Sequence, residues 1–201
     1  MAIKALIFDM AGVVLLTTKG TFNSLLAERL GAQIEDVARV MNDEVNDRWD
    51  LGEISDDEFF THLLTELNQP IEKKSILEKF VIDDFYIDLQ MLVFIHELHK
   101  KYRTALLTNF PTHLHEFMRT KWKTGDTFDH VIASCDVKLL KPDPRVYQRT
   151  LEIIGCQPCE AIFVDDRVIN VEGAQAIGIR SVLYQNREQG IAEIKKLLEI
   201  N

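Results

Sequence analysis

The spacing of apolar residues along the chain changes character twice. Residues 3–9, with the sequence IKALIFD, form a short apolar run that ends in a carboxylate before a glycine-containing turn, which predicts a buried strand. From about residue 20 to residue 85 the apolar positions recur at helical spacing, and no segment of this stretch predicts a strand. Beyond residue 85, helical and strand patterns alternate.

Helix start and stop signals support a helical middle region. Thr21 is placed to cap the segment TFNSLLAERLGA, whose apolar positions give way to a glycine. Ser55 and Glu58 have the spacing of a capping box at the start of SDDEFFTHLLTELNQP, and Pro70 closes that segment. The middle region is therefore predicted to be an inserted helical unit.

The alternating region predicts a parallel sheet. Strands separated by helices of this length form right-handed crossover units, with helices on both faces of the sheet. We therefore predict an α/β fold: a Rossmann-like parallel sheet core, residues 1–16 and 88–201, interrupted by an all-helical cap, residues 17–87. The predicted elements of the second part are helix 88–101, strand 103–108, strand 130–134, helix 145–155, strand 161–166, helix 171–178, strand 180–184 and helix 190–200.

Composition and charge exclude some classes of partner. The 201 residues carry a net charge of −9 and 46% of them are apolar, as in ordinary globular proteins. An acidic chain lacks the basic surface that nucleic-acid phosphates require, so we expect no nucleic-acid partner. No signal-peptide pattern and no apolar run of about 18 residues occurs, so we expect a cytoplasmic location and no membrane partner. The sequence leaves the oligomeric state open.

The cysteines are interpreted as ordinary thiols. Cys156 and Cys159 have the C-x-x-C spacing of some redox and zinc sites. The third cysteine, Cys135, is remote in sequence, and no second Cys/His pair has zinc-like spacing. We therefore interpret the pair as two loop thiols.

Polar side chains are predicted to converge at one edge of the sheet. In open parallel sheets, ligands bind beyond the carboxyl ends of the strands. Asp9 ends the first strand, and Lys141 lies in the loop that contains KPDP. The other polar residues at or just after strand ends are Thr108, Asn109, Asp165, Asp166 and Asn170.

This set of groups is typical of phosphoryl chemistry. Three carboxylates cannot share a site as anions without a cation between them, and a hard ion with oxygen ligands such as Mg²⁺ meets that need. Mg²⁺ and a lysine together would neutralise a phosphoryl dianion, and a hydroxyl group would orient it. One carboxylate placed in line can act as the nucleophile and form an acyl phosphate.

The chain resembles the haloacid dehalogenase-like hydrolase superfamily over nearly all of its length. Four motifs carry this resemblance by their order and spacing: IFDMAGVV, LLTN, KPDP and FVDDRVIN. The insert is similar to the small helical cap of the phosphatase-like branch, and GEISDDEF, KPDPRVYQ and FVDDR are most similar to bacterial sugar-phosphate phosphatases. The chain also resembles the N-terminal phosphatase domain of soluble epoxide hydrolases. The resemblance implies Mg²⁺-dependent hydrolysis of a small phosphorylated metabolite, such as a sugar phosphate.

The resemblance also implies a metal site. Asp9 would be a Mg²⁺ ligand, together with the backbone carbonyl of Ala11 and the carboxylate of Asp166. Asp165 and Asn170 would support the water shell of the metal or the lysine. The choice of Asp166 rather than Asp165 as the direct metal ligand depends on its register with Asn170.

The remaining roles concern the phosphoryl group. Asp9 would be the nucleophile that forms an aspartyl phosphate. Thr108 and Lys141 would be catalytic residues that hold the transferring group, and the lysine would also pair with the nucleophile. Thr108, Asn109 and Lys141 would together bind the substrate.

Position 11 departs from the pattern of the family. Most phosphatases of this family have a second aspartate two residues after the nucleophile, where it protonates the leaving oxygen and then activates water. Such acid/base catalysis contributes typically about 10²–10⁴-fold to the rate. Ala11 retains a carbonyl for the metal but has no proton to give.

Several explanations of Ala11 are open. The alanine is natural, with a good leaving group or an acid borrowed from the cap, or it was engineered from aspartate. DMAG is also similar to the motif of phosphonoacetaldehyde hydrolase, but that enzyme needs a cap lysine of lowered pKa, and Lys73, Lys74 and Lys79 lie in a polar stretch. Dehalogenase chemistry is disfavoured by the doubled aspartate in FVDDRVIN.

A non-catalytic phosphate-binding relative is the competing class of function. The missing acid favours it, whereas the retained nucleophile, threonine, lysine and paired aspartates favour an enzyme. Trp49 is interpreted as packing inside the cap, and His113 and His115 as exposed helix residues, although either histidine is a candidate for the missing proton donor.

Overall fold

The computed structural model of the chain describes residues 2–124 and 127–199. Positions 1, 125, 126, 200 and 201 of the predicted core lie outside the described residues, including the last residue of the predicted helix 190–200. The strands are β1 (Ala5–Phe8), β2 (Leu15–Thr17), β3 (Phe85–Ile87), β4 (Arg103–Thr108), β5 (His130–Ala133), β6 (Ala161–Asp165) and β7 (Arg180–Leu183). The helices are α1 (Phe22–Leu30), α2 (Ile34–Val40), α3 (Glu44–Asp50), α4 (Asp56–Glu66), α5 (Lys74–Asp83), α6 (Leu89–His99), α7 (Leu114–Phe117), α8 (Ser134–Val137), α9 (Pro144–Ile154), α10 (Val168–Ala176) and α11 (Arg187–Leu197).

The core is a five-stranded sheet in the order β5-β4-β1-β6-β7, and all of its strand pairs are parallel. Strand β1 is central, with Ile7 opposite Ala105 on β4 and Phe163 on β6. Every residue of β1 is buried because both faces of a parallel sheet are covered, which explains its continuous apolar sequence. The predicted α/β fold is confirmed, and the carboxyl ends of β1, β4 and β6 meet at one edge.

Alternate residues of the strands contact opposite layers of helices. Ile7 belongs to a buried apolar cluster with Tyr147 and Leu151 of α9. Phe8, the next residue, belongs to a second cluster, which includes Met91 of α6 and Ile194 of α11. The period of two in a strand therefore distributes the apolar side chains between the two helical layers.

The cap contains helices α1 to α5, and its buried apolar residues form one cluster with residues of the sheet such as Leu106 and Ala133. Leu30, Phe59 and Leu63 are among the buried residues of this cluster. Both predicted capping arrangements are present: the Thr21 hydroxyl accepts a hydrogen bond from the Ser24 backbone N–H, and the Ser55 and Glu58 groups cap each other reciprocally. We propose that the boundaries between core and cap lie at residues 16/17 and 87/88.

A small antiparallel sheet of β2 and β3 joins the two ends of the insert. Leu15 pairs with Ile87, and Thr17 pairs with Phe85. The sequence pattern predicted neither strand, and the expectation that no segment of residues 20–85 forms a strand was wrong at Phe85, where β3 begins. Three-residue strands are too short to show a clear alternation of apolar and polar positions. Within the described ranges, no helix has both the length and the apolar character needed to cross a membrane.

Candidate active site

Asp9 lies at the carboxyl end of the central strand. Its backbone N–H donates to the carbonyl of Val164, which continues the ladder one residue beyond β1. The residue is only 6% exposed, and its Oδ1 accepts a hydrogen bond of 2.6 Å from the Met10 backbone N–H. The strand therefore fixes the direction in which this carboxylate is presented to the edge of the sheet.

The turn after Asp9 is held close to the second aspartate of the FVDD pair. The carbonyl of Met10 accepts hydrogen bonds from the backbone N–H groups of Val14 and Leu15, which closes the turn. Gly12 has a φ of 86°, and a Cβ atom at this position would lie 2.2 Å from Oδ2 of Asp166. Glycine is required here both by the left-handed backbone and by this close approach.

Lys141 links two carboxylates beneath the edge of the sheet. Its Nζ lies 2.8 Å from Oδ1 of Asp9 and 2.7 Å from Oδ2 of Asp165, and its side chain is almost completely buried. Asn109 fixes the backbone of the lysine: its Nδ2 donates to the Lys141 carbonyl at 3.1 Å, and its Oδ1 accepts from the Lys141 N–H at 2.9 Å. The end of β4 therefore positions the KPDP loop.

Burial and charge oppose each other in this cluster. Burial raises the pKa of the Asp9 carboxyl, the Lys141 ammonium opposes this effect, and the neighbouring Asp165 and Asp166 carboxylates add to it. Burial would lower the pKa of Lys141, but the Asp9 and Asp165 carboxylates outweigh burial and raise it. The lysine is therefore a fixed cation, and the cluster still holds more negative than positive charge.

The two aspartates of FVDD have different surroundings. Asp165 is fully buried and accepts hydrogen bonds from the Asn170 side chain at 3.0 and 3.1 Å and from the Arg167 backbone N–H at 2.8 Å, besides its contact with Lys141. Asp166 is exposed at the edge, and desolvation together with the Asp165 charge raises its pKa. The first aspartate is therefore committed to protein donors, whereas the second faces the open site.

The residues at this edge fit a divalent metal ion. One oxygen atom from each of Asp9, Asp165 and Asp166 lies within 4.8 Å of the others. The donors are all oxygen atoms, as Mg²⁺ prefers, and a cation here would offset the excess negative charge. Because Asp165 already accepts from several donors, Asp9 and Asp166 are the carboxylates best placed to hold such an ion. Ala11 lies in the turn beside them and lines the same cavity.

A cavity of about 1250 Å³ opens over this edge and is roofed by the cap. Asp165 lies beneath the cavity wall, in contact with Lys141. Thr108, at the end of β4, is buried and forms part of the wall. The predicted site residues that line the cavity are Asp9, Ala11, Thr108, Asn109, Lys141, Asp166 and Asn170.

The cap side of the cavity combines an apolar wall with polar residues, which include Asn23, Asn42, Asp57, Lys74 and Glu78. Trp49 stacks on Phe59 with ring centroids 4.1 Å apart, and its Nε1 donates to Asp56 at 2.8 Å, so it packs inside the cap as interpreted and also borders the cavity. The apolar residues of this wall include Phe22, Leu26, Met41, Trp49, Phe59, Phe60, Leu63, Leu77 and Phe80.

The two histidines considered as proton donors have other partners. Nδ1 of His113 lies 3.2 Å from Asp56, at the border of the cavity. Nε2 of His115 lies 2.7 Å from Asp136, and both side chains of that pair are exposed. Neither contact brings a histidine to the Asp9 cluster.

Sequence reasoning missed many of the polar residues that line the cavity. Asn46 and Asp50 of α3 and Arg167, which follows the paired aspartates, line it together with the predicted residues. The signal for the first two was weak: they are separated by one helical turn on a cap helix, and only the docking of that helix on the core brings them to the site.

Similarity to known proteins extends over nearly the whole chain. A sesquiterpene phosphatase of Aspergillus oryzae is 28% identical over 97% of this chain and 96% of its own length. The bifunctional epoxide hydrolase 2 of Sus scrofa is 26% identical over 98% of this chain, which spans 39% of that protein.

Solved structures show the same fold. A HAD-like family hydrolase from Porphyromonas gingivalis superposes with a TM-score of 0.78 over 100% of both chains, at 22% identity. A HAD family enzyme of Bacteroides thetaiotaomicron, solved as a magnesium complex, gives a TM-score of 0.74 over 92% of this chain and 94% of its own, also at 22% identity. The family model described as haloacid dehalogenase-like hydrolase matches residues 3–178. The resemblance carried by the four motifs is confirmed, and this chain belongs to the haloacid dehalogenase-like hydrolases.

Proposed function

We propose that this protein hydrolyses phosphate monoesters with the help of Mg²⁺, with Asp9 as the nucleophile. The observation that carries the proposal is the buried cluster in which Lys141 joins Asp9 to Asp165 at the floor of a large cavity. A carboxylate in such a setting is desolvated, fixed in direction and adjacent to a cation, as a nucleophile towards a phosphoryl dianion requires. The sesquiterpene phosphatase relative supports the same reaction class.

The hydrogen bonds of Asp9 favour one of its two carboxylate oxygens as the attacking atom. The Met10 N–H and the Lys141 ammonium both contact Oδ1, so we assign the attack on phosphorus to Oδ2. In the first step, the bond from Oδ2 to phosphorus forms as the bond from phosphorus to the leaving oxygen breaks. In the second step, water attacks phosphorus, inorganic phosphate leaves and the aspartate is regenerated. Lys141 and the Thr108 hydroxyl would hold the phosphoryl oxygens.

Asn109 fits a positioning role in this reaction. Both polar atoms of its amide group bind the backbone of Lys141. We therefore propose that its contribution to substrate binding passes mainly through the lysine that it positions.

Asp9, Asp166 and the carbonyl of Ala11 would hold the Mg²⁺ ion, and Asp165 and Asn170 would support this arrangement from below. When bound, the ion would supply positive charge that stabilises the charge of the transferring phosphoryl group. The close approach of Gly12 to Asp166 keeps the ligand-bearing turn next to that carboxylate.

The lining of the cavity favours an amphipathic substrate over a free sugar phosphate. Its cap side presents a wall of aromatic and aliphatic side chains in addition to polar residues such as Asn23, Lys74 and Glu78, and a sugar would leave that apolar wall without a partner. An isoprenoid or other long apolar chain attached to the phosphate would bury its surface against that wall. The sesquiterpene phosphatase of Aspergillus oryzae supports the same substrate class, because sesquiterpenes are isoprenoids.

Phosphate release tests the reaction and the substrate class together. We would compare p-nitrophenyl phosphate, farnesyl phosphate and glucose 6-phosphate, each with Mg²⁺ and with EDTA. We expect Mg²⁺-dependent release that is abolished in Asp9→Asn, with a higher kcat/KM for farnesyl phosphate than for glucose 6-phosphate. A reversed preference would restore the sugar-phosphate assignment. No release from any compound would favour the non-catalytic phosphate-binding alternative.

A further inference from the structure

Ala11 leaves the proposed phosphatase reaction without the usual source of a proton, and the cap supplies a carboxyl group to the same cavity. Asp50 is the last residue of α3, and it lines the cavity together with Asp9, Thr108 and Lys141. It also borders a second, smaller cavity of about 260 Å³, which Asn109 and Lys141 share. Its side chain is half-buried, so it is both shielded from bulk solvent and open to the cavity.

Hydrogen bonds between the core and the cap fix the backbone that carries this carboxyl group. The Ser134 hydroxyl donates to the backbone carbonyl of Asp50 at 2.5 Å, and the same hydroxyl accepts from the backbone N–H of Phe110 at 3.0 Å. Lys138 donates from Nζ to the carbonyl of Leu51 at 2.6 Å. The end of α3 is therefore tied to the loop that follows β4, two residues beyond the Thr108 hydroxyl.

The charges that face Asp50 hold it near the balance between its acid and its base form. Burial raises its pKa to about 7, and the Asp47 carboxylate on its own helix adds to this effect. The Asn46 side chain, which lies 3.4 Å from Oδ2, and the Arg167 and Lys141 cations of the core lower the pKa again. A phosphoryl dianion entering the cavity would add negative charge and further favour the protonated form.

Among the described residues, one buried polar atom close to the Asp50 carboxyl group lacks a hydrogen-bond partner. Oδ1 of Asn46 is buried, lines the same cavity, and has no hydrogen-bond partner among the described residues. A buried acceptor without a partner is costly unless a ligand or water satisfies it. This part of the cap therefore presents polar groups to whatever occupies the cavity.

We infer that Asp50 is the proton donor of the reaction and replaces, from the cap, the side chain that is absent at position 11. This inference depends on the proposed phosphatase function. As the bond between phosphorus and the leaving oxygen breaks, the proton of the Asp50 carboxyl group passes to that oxygen, so that an alcohol leaves and a carboxylate remains. When water attacks the aspartyl phosphate, the carboxylate takes a proton from the water and the acid form returns. Because Ser134 anchors the donor, catalysis requires the cap to be docked on the core.

The test compares two substrates that share an aromatic ring but differ in the leaving group. p-Nitrophenyl phosphate releases a phenolate that needs no proton, whereas 2-phenylethyl phosphate releases an alkoxide that does. Because the attack of water on the aspartyl phosphate is common to both substrates, the first turnover is measured alone, as release of the alcohol or phenol with enzyme in excess. We expect Asp50→Asn to lower this single-turnover rate for 2-phenylethyl phosphate by about 10²–10⁴-fold and that for p-nitrophenyl phosphate by less than about 10-fold. Glu44→Gln, the same chemical change at an exposed position of the same helix, should leave both rates unchanged.

A double variant guards against misfolding of Asp50→Asn. Adding Ala11→Asp to Asp50→Asn should restore the hydrolysis of 2-phenylethyl phosphate by at least about 10-fold, because a carboxyl group returns beside the leaving oxygen. Equal losses with both substrates, or no loss with either, would overturn the role of Asp50 while leaving the phosphatase function intact. A wild-type protein with no activity above Asp9→Asn on either substrate would instead overturn the phosphatase function, and the role of Asp50 with it.

Discussion

Nζ of Lys141 lies 2.7 Å from Oδ2 of Asp165, and both side chains are buried. Together with Asp9 they form a cluster of two carboxylates and one ammonium group at the carboxyl edge of the sheet. A buried ion pair is weak evidence for stability as such, but removing one partner leaves an uncompensated charge in a medium of low dielectric. Burying these charges costs desolvation free energy, and the proposed chemistry explains why the protein retains them.

Replacing Lys141 should destabilise the folded protein. We expect Lys141→Met to lower the free energy of unfolding by about 3–5 kcal/mol in EDTA, because Asp9 and Asp165 lose their common cation. Urea unfolding measures the change. A loss below about 1 kcal/mol would show that the carboxylates become protonated or hydrated without penalty, and that the lysine is not needed to hold them.

Gly12→Ala should weaken Mg²⁺ binding. A Cβ atom at this position would lie 2.2 Å from Oδ2 of Asp166, so the proposed metal ligand must move. We expect the Mg²⁺ concentration for half-maximal activity to rise by about 10-fold or more. Gly178→Ala is the matched control, since its φ is also positive, at 90°, but its Cβ would meet only Pro158, at 3.6 Å. Equal Mg²⁺ requirements in the two variants would contradict the assignment of Asp166.

The pKa of Asp50 predicts a dependence of stability on pH. Because the pKa is raised from 3.8 to about 7 in the folded protein, the folded state keeps a proton between these values that the unfolded state releases. Stability therefore falls as pH rises through this window, and the full penalty applies above pH 7. We expect Asp50→Asn to remove the penalty and to be more stable than the wild type at pH 8 by on the order of 1–3 kcal/mol.

Thermal unfolding of both proteins at pH 4 and pH 8 measures this effect. The difference in Tm should be near zero at pH 4 and positive at pH 8. A Tm difference that does not change with pH would mean that Asp50 ionises normally in the folded protein. A variant that gains stability while losing activity would fit a residue kept for function.

The apolar wall predicts a selective effect of Phe60→Ala. Phe60 is half-buried, contacts Trp49 edge-to-face with ring centroids 6.0 Å apart, and lines the cavity. We expect kcat/KM for farnesyl phosphate to fall by about 10-fold, while that for the small substrate p-nitrophenyl phosphate changes by less than about threefold. Equal effects on both substrates would show that the ring supports the cap rather than the substrate.

The sequence was sufficient to predict the floor of the site. Asp9, Thr108 and Asp165 follow or end buried apolar strands, and parallel strands bring their carboxyl ends together whatever the details of the loops. The capping groups Thr21 and Ser55 were also predictable because their hydrogen bonds span three residues. These features depend on local patterns or on topology alone.

The roof of the site was not predictable from local patterns. Asp50 reaches the cavity because Ser134, which is 84 residues away in sequence, binds its carbonyl. The same limit applies to β2 and β3, which are three residues long and pair only across the whole insert. Contacts of this kind depend on how two packed units meet, and no periodicity within either unit encodes them.

Direct detection of the covalent intermediate tests the central claim. We would quench the protein with acid during turnover of p-nitrophenyl phosphate, reduce it with borohydride, which converts an aspartyl phosphate to homoserine, and map the product by peptide mass spectrometry. The proposed function predicts homoserine at position 9, only when substrate is present. Homoserine at Asp165 or Asp166, or none at position 9 in a protein that is turning over substrate, would contradict Asp9 as the nucleophile.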